Sequence, residues 1–322
     1  MNEPLVTIIC LCYNHAKFLQ EALDSVLAQT YSNLEVIVVD DASSDASAQV
    51  ISEYVRRHPH IQFIQHHKNR GNCASFNEAF GQSRGEYIID FATDDVLYPE
   101  RVKEQVCAFQ TLPQDYGVVY TDADLINEKS IFLRHFYQRS ASGELVPEPA
   151  EGEVFAHVLS RYFICPPTMM IRRQVLEELN GYDLALAYED FDFWVRSSRS
   201  WRYHYLDKVL CKRRVHIASL SQQVYKKGDR QLQSTIQVIQ KAQKLVRTSV
   251  EKLALVKRVK YEARHAYFTS NYPEALQLLE ILEEETSADA ESRVMRWLAK
   301  KRVPLQFLRR WYHGWRYRHT SA

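Results

Sequence analysis

Two adjacent carboxylates, Asp94 and Asp95, follow Thr93 at the end of the apolar run Tyr87-Ile88-Ile89. In such a setting they repel each other and resist desolvation. A divalent cation beside them relieves both costs. Hard oxygen ligands suit Mg²⁺ or Mn²⁺, ions that usually share their coordination with substrate phosphates. The same three residues also suit a solvated turn or a helix N-cap before Val96. Three further polar clusters carry possible chemistry: Asp40-Asp41-Ala-Ser-Ser-Asp45, Glu189-Asp190-x-Asp192 and Arg213-Arg214-Val-His216. A carboxylate such as Asp41 only accepts hydrogen bonds, so it can select a ring N–H; it can equally cap a following helix. A neutral imidazole at His216 suits Mn²⁺ or a phosphate contact, although a lone histidine is more often structural or merely exposed. Glu189, Asp190 and Asp192 also fit an acidic first helical turn stabilised by the dipole.

The elements that must hold these residues alternate. Leu5–Cys12 reads as a buried strand running into Tyr13-Asn14. Phe18, Leu19, Ala22, Leu23, Val26 and Leu27 then recur at helical spacing. Leu34–Val39 is a second strand, Val50, Ile51, Tyr54 and Val55 mark a second helix, and Ile61–Ile64 is a third strand. A helix over 74–80, the strand at 87–89, a helix over 99–112 and a strand at 118–121 follow. Buried strands without polar alternation, joined by short helical connections, predict an α/β fold with a mostly parallel sheet covered on both faces. In open sheets of this kind ligands sit at the carboxyl ends of the strands. Tyr13-Asn14, Asp40-Asp41 and Thr93-Asp94-Asp95 all fall there. Residues 138–153 read as a mobile loop, 168–171 and 202–210 as strands. Beyond about residue 222 Gly and Pro become rare, and helices are predicted over 232–246, 253–268 and 273–285. The stretch 263–276 resembles a single tetratricopeptide-type helical hairpin.

The chain has 322 residues, 46% hydrophobic and 25% charged, with a formal net charge of +1. That balance suits an enzyme with a sizeable core and does not suit a nucleic-acid binder as a whole. Six cysteines are scattered, and Cys10-x-Cys12 has no second pair at zinc-site spacing, so reduced thiols in a cytosolic protein are expected. The N-terminus lacks the basic region of a signal peptide, and no run approaches 18 apolar residues. No Gly-x-Gly-x-x-Gly follows the first strand, which argues against a dinucleotide-binding enzyme.

Residues 1–222 resemble the family-2 glycosyltransferases of the GT-A fold. The resemblance rests on Val6–Cys12 with Tyr13-Asn14, Ser25–Thr30, Val38–Asp45, Asn69-x-Gly71 with Asn77, and Thr93-Asp94-Asp95. Asn180-Gly-Tyr-Asp183, Glu189-Asp190-x-Asp192 and Arg214-Val-His216 complete it. It implies an inverting, metal-dependent transferase that moves a sugar from a nucleoside diphosphate, UDP first, to a glycan or lipid-linked acceptor. It implies Mn²⁺ or Mg²⁺ as cofactor, Asp95 as metal ligand with His216 as a second, and Asp190 as general base. Asp41 then accepts from the uracil imide, and Tyr13 flanks the base, although Tyr13 equally suits the core. Asn14, Asn77, Thr93, Asp94 (toward the ribose) and Arg214 (toward phosphate) complete the donor site. Cys12 stands where the family often has proline, and Phe76 where many members carry arginine. The Gln-x-x-Arg-Trp motif of processive synthases is absent, so a single addition is expected. The alternative is a catalytically silent nucleotide-sugar-binding or scaffold protein on the same fold; the presence of both Asp95 and Asp190 argues against it.

From Arg293 onward there are nine Lys and Arg residues, no Asp or Glu, and interleaved aromatics including Trp297, Trp311 and Trp315. This pattern suits an anionic membrane surface at the inner face of the membrane. Packing on the catalytic domain is the second reading, and nucleic acid is not an expected partner. Residues 223–322 are read as a helical extension carrying this tail.

Overall fold

A computed structural model describes residues 3–215, 227–228, 230–287 and 289–305. The chain falls into two compact units, residues 1–155 with 162–217, and residues 156–161 with 218–322. The expected boundary at 222/223 lies outside the described residues.

In the first unit β1 (Val6–Cys12) is buried at every position, as a strand covered on both faces must be. β2 (Leu34–Asp40) and β4 (Tyr87–Ala92) flank it in parallel, and β3 (Gln62–Gln65) lies beyond β2. The crossovers α1 (Ala16–Leu27), α2 (Ser47–Arg57) and α3 (Asn72–Gln82) press apolar stripes onto the sheet. α1 buries Phe18, Leu19, Ala22, Leu23 and Val26 at the spacing the sequence shows. Because β2 and β4 both pair with β1 in parallel, the carboxyl ends of all three strands lie on one rim. α4 (Arg101–Thr111) begins two residues after Pro99, and three short helices follow it in the chain, α5 (Phe155–Ser160), α6 (Arg173–Glu178) and α7 (Asp190–Ser197).

The other half of the sheet is mixed. Its order is β3-β2-β1-β4-β8-β6-β9-β5, with β7 (Phe132–His135) on β6 (Tyr116–Ile126). β8 (Met170–Arg172) runs antiparallel to both β4 and β6. It has only three residues, entered from a 3-10 turn at Pro166–Thr168, and nothing in so short a run encodes direction. β6 and β9 (Arg202–Arg214) are long parallel partners whose register shifts around Asp122. β5 (Val96–Leu97) pairs antiparallel with Cys211 and Lys212, and this sets Asp95 beside Arg213 and Arg214. Residues 138–153, expected as a mobile loop, are tied down. Arg139 bridges to Leu145, and Gly152 exchanges two backbone hydrogen bonds with Tyr203 at 2.7 and 3.0 Å.

The end of the sheet away from that rim is locked by Glu35. This buried carboxylate accepts from Thr7 Oγ1 (2.7 Å), Arg84 N (2.7 Å) and Arg84 Nε (2.9 Å). A Cβ at Gly85 would lie 2.5 Å from both Thr7 N and Thr7 Oγ1, and Gly85 N itself donates to that hydroxyl. Gly85→Ala must therefore push backbone against backbone. We expect a loss of about 1–3 kcal/mol, read as a thermal midpoint several degrees lower. An unchanged midpoint contradicts this packing.

In the second unit the helices are α8 (Arg230–Leu245), α9 (Ser249–Phe268), α10 (Tyr272–Glu285) and α11 (Ala290–Lys300). α9 starts with a capping box, Thr248 with Glu251, and α10 starts with a proline in its first turn. Leu255, Val259, Ala263, Leu278, Leu279 and Leu282 fill the seam between α9 and α10, which pack as a helical hairpin. Arg258 and Glu262 form a buried ion pair at 3.1 Å, and Arg258 Nε also donates to Leu159 O.

Candidate active site

The rim at the ends of β1, β2 and β4, closed by the end of β9 and the start of α7 (Asp190–Ser197), gathers most of the expected residues. Tyr13 is 48% exposed, so it is not a core tyrosine. Asn14, at φ 58°, accepts from Ser44 N (2.7 Å) through Oδ1, while its own N–H donates to Ser43 Oγ (2.9 Å). It joins the loop after β1 to the loop after β2. Asp41 is buried and accepts from His66 Nδ1 (2.7 Å) and Arg70 N (2.8 Å) on Oδ1, and from Gly71 N (2.8 Å) on Oδ2. It is not the cap of α2, since Asp45 Oδ1 takes the Ser47 N–H there (2.9 Å). A carboxylate has about four lone-pair directions, so these three bonds leave Oδ2 with one.

Thr93 is fully buried; its hydroxyl donates to Leu11 O (3.0 Å) and lies 3.0 Å from His15 Nδ1. Asp95 is buried, and its Oδ1 accepts the Arg214 N–H at 2.7 Å. Burial, together with the charge of Asp94, holds its carboxyl well above the usual carboxylate range, against the pull of Arg213 and Arg214. A hard cation relieves the same two penalties. Among the described residues no group of three or more His, Cys, Asp or Glu side chains is arranged around one metal. Mg²⁺ and Mn²⁺ sites that share a substrate phosphate commonly draw only one or two carboxylates from the protein. Asp95, with Asp94 beside it, is the pair that would hold such an ion. His216 lies outside the described residues.

Two expected donor contacts are placed differently. Arg214 has only 1% of its side chain exposed. It donates from Nε to Asp94 O (2.7 Å), from Nη1 to Asn127 O and Ser130 Oγ (3.0 Å each), and from Nη2 to Glu21 Oε2 (2.7 Å). Its guanidinium lies over the Phe18 ring. With four of its five N–H donors engaged, it is a strut under the Asp94-Asp95 turn. Arg213 is half-buried between Asp95, Asp190 and Cys165. Burial opposes its charge, but these neighbours keep it firmly protonated. Asn77 gives both ends of its amide to Tyr182, Nδ2 to the carbonyl and Oδ1 to the N–H, each at 2.8 Å. It fixes the Asn180-Gly181 turn, where Gly181 has φ +73° and a Cβ would lie 2.4 Å from Asn77 Oδ1. Phe76, in the arginine position, stacks on Tyr182 at 4.2 Å.

At the start of α7 the three acids separate. Asp192 is buried and takes Arg196 Nε at 2.6 Å, while Arg196 continues to Leu179 O and Gly181 O. Phe191 and Trp194 are core residues. Asp190 is half-buried. Burial, then the charges of Glu189 and Asp90, holds its carboxyl well above the usual range, with Arg213 opposing. Asp90 and the Tyr182 hydroxyl were not singled out from the sequence. The available signal was that Asp90 is the one charge inside the buried run of β4.

Fold and rim together describe an α/β protein with an acidic turn, Asp94-Asp95, at the end of β4 and a second acidic cluster at the start of α7. The family model for glycosyl transferase family 2 matches residues 7–180, and the chain belongs to that family. An uncharacterized glycosyltransferase of Rickettsia typhi is 31% identical over 218 residues, which is 67% of this chain and 65% of that relative. The chain thus spans just under two thirds of that relative's length. EpsE of Bacillus subtilis is 31% identical over 221 residues, 66% of this chain and 74% of EpsE. Staphylococcus aureus TarS residues 1–349, solved with UDP-GlcNAc, superposes with a TM-score of 0.69 at 16% identity, covering 92% of this chain and 88% of that one. The Pyrobaculum calidifontis mannosyltransferase PcManGT, solved with GDP-Man and Mn²⁺, gives 0.59 at 18% identity, covering 94% and 86%. These two likenesses establish the GT-A fold.

Proposed function

We propose that this protein is an inverting, metal-dependent glycosyltransferase that adds a single sugar from a nucleoside diphosphate donor, a UDP-sugar, to a glycan or lipid-linked hydroxyl. The observation that carries the reading is the rim of carboxylates at the strand ends: buried Asp95 after β4, with Oδ1 accepting the Arg214 N–H at 2.7 Å, and buried Asp41 after β2, with Oδ2 accepting the Gly71 N–H at 2.8 Å. Residues 1–222 form the transferase domain in this reading, and 223–322 the extension. Asp41 offers its remaining Oδ2 lone pair to the uracil imide N–H, and exposed Tyr13 flanks the ring. Asn14 holds the two loops that border it. Asp95 and Asp94, with His216 as a further ligand, would hold Mn²⁺ or Mg²⁺, which would supply charge stabilisation for the leaving diphosphate. Arg213 adds a fixed positive charge, taking the phosphate role first expected of Arg214. Asp190 accepts the proton of the acceptor hydroxyl; burial and the charge of Glu189 raise its proton affinity above that of a free carboxylate, the direction a general base needs. The two sugar-nucleotide complexes among the fold neighbours, UDP-GlcNAc in TarS and GDP-Man with Mn²⁺ in PcManGT, support a nucleotide-sugar donor. A thermal-shift screen of nucleotides and nucleotide sugars with Mn²⁺ tests the class. The expected result is a UDP-selective shift that EDTA removes, together with sugar release. Binding without release would favour the silent scaffold.

The same reading includes peripheral attachment to an anionic membrane surface at the cytoplasmic face. Among the described residues no helix is long and apolar enough to cross a membrane. α11 buries Met295 and Ala299 and turns outward Val294 (58% exposed) and Trp297 (60% exposed). Exposed Arg293, Lys300, Lys301 and Arg302 surround them. Residues 306–322, with the remaining tail aromatics, lie outside the described residues. Removing 306–322 in a Trp297→Ala, Lys301→Glu background spares the buried face of α11. We expect that variant to lose low-salt sedimentation with anionic liposomes while keeping turnover on a soluble acceptor. Equal sedimentation of variant and parent contradicts the attachment.

A further inference from the structure

We propose that His66 is a positioning residue that sets the nucleobase selectivity of this transferase, by fixing the Asp41 carboxylate with one oxygen left for the base. The inference rests on the reading of Asp41 as acceptor for the uracil imide. His66 directly follows β3, and its backbone N–H donates to Asp40 O at 2.9 Å, one step beyond the Asp40–Gln65 pair of the ladder. Its side chain is only 5% exposed, and Nδ1 lies 2.7 Å from Asp41 Oδ1. An ionised carboxylate only accepts, so Nδ1 carries a hydrogen and donates. Arg70 N donates to the same oxygen at 2.8 Å, which occupies both of its lone-pair directions. Oδ2 accepts from Gly71 N at 2.8 Å, and its second direction is the one a ligand can use.

The far side of the ring is also held. Nε2 lies 3.3 Å from Glu78 Oε2, without the alignment of a hydrogen bond, so the directed bond of the ring is the one to Asp41. Glu78 belongs to α3, and its carboxylate pairs with Arg70 Nη1 as well. The turn from His66 to Gly71 is thus anchored on α3 and closed around Asp41. The backbone bonds of β3 and of this turn need no imidazole. Burying one is costly unless it is paired, and here its directed partner is the group assigned to the base. Without His66 the carboxylate is free to turn about its Cβ–Cγ bond and to spend both oxygens on the N–H groups of the turn. Held in place, it presents an acceptor only. That suits uracil, whose N3 carries a hydrogen, and opposes cytosine, whose N3 carries a lone pair.

Calorimetry of UDP and of CDP with Mn²⁺, on the full chain, reads this selectivity without turnover. The parent is expected to prefer UDP. In His66→Leu the preference should fall about tenfold, through weaker UDP binding, the scale of one hydrogen bond. His66→Asn should keep most of it, because the asparagine Nδ2 takes the place of the imidazole Nδ1. His66→Gln, whose amide reaches toward Glu78 instead, should lose it. The Asn and Gln variants carry the comparison even if His66→Leu does not fold. Equal selectivity in those two, or UDP and CDP weakened alike in each variant, makes His66 a structural clamp and overturns the proposal. Asp41→Asn separates this from the underlying reading. Selectivity lost there but kept in every His66 variant overturns the role of His66 alone. A parent without preference, or an Asp41→Asn variant that retains it, overturns the reading of Asp41 and this proposal with it.

Discussion

Asp190→Asn is expected to retain donor binding and to lower kcat by about 10²–10⁴-fold, the share a general base usually supplies. The side chain keeps its size and loses only the ability to take a proton. The proposed nucleotide contacts lie on other strands, at Asp41 after β2 and Asp95 after β4, so UDP affinity should survive. Neighbouring acids give the controls. Asp192 is committed to Arg196, which in turn holds the 179–181 turn. Asp192→Asn should therefore lower stability more than rate. Glu189 is the real competitor, since it is half-buried, adjacent, and also raised in proton affinity by burial. Near-normal kcat in Asp190→Asn beside a dead Glu189→Gln would move the base to Glu189. Loss of UDP affinity in Asp190→Asn would make it a binding residue.

Asp95→Asn is expected to abolish the metal-dependent part of UDP binding and to reduce turnover by about 10²–10³-fold, as removal of one electrostatic stabiliser does. Asparagine is preferred to alanine for a structural reason. Asp95 Oδ1 accepts the Arg214 N–H, and alanine would leave that buried donor unpaired at a cost of about 1–3 kcal/mol. Asp95→Ala should show the same loss of binding with a lower thermal midpoint. Calorimetry with and without Mn²⁺ reads the effect. Unchanged Mn²⁺·UDP affinity in Asp95→Asn would show that the ion is held elsewhere.

Periodicity made the parallel half of the sheet and the helices legible, because a strand buried on both faces shows a continuous apolar run and a covering helix shows a stripe. The rim location of Asp41, Asp94 and Asp95 followed from that order alone. What periodicity does not carry is direction and side-chain commitment. The three residues of β8 do not encode antiparallel pairing. The tethering of 138–153 comes from backbone bonds between Gly152 and Tyr203 and from ion pairs of Arg139 with Asp207 and Glu151 with His204, partners more than 50 residues away that local periodicity cannot show. Arg213 and Arg214 are alike in sequence, yet successive residues of a strand point to opposite faces. One therefore reaches the rim while the other is buried under the acidic turn. Asn77 belongs to the family's pattern, but its amide is spent on Tyr182. The Tyr182–Asp90 hydrogen bond leaves no local pattern, because the two residues lie 92 apart in the chain.

The account rests on one carboxylate activating an acceptor hydroxyl for a single displacement at the anomeric carbon. Proton NMR of the first turnovers, with a UDP-sugar of known anomeric configuration and Mn²⁺, follows that carbon directly, and water serves as acceptor where no other is available. The first product is expected to carry the opposite configuration to the donor, before mutarotation blurs it. Retained configuration would contradict it, since a single displacement from Asp190 cannot give that product.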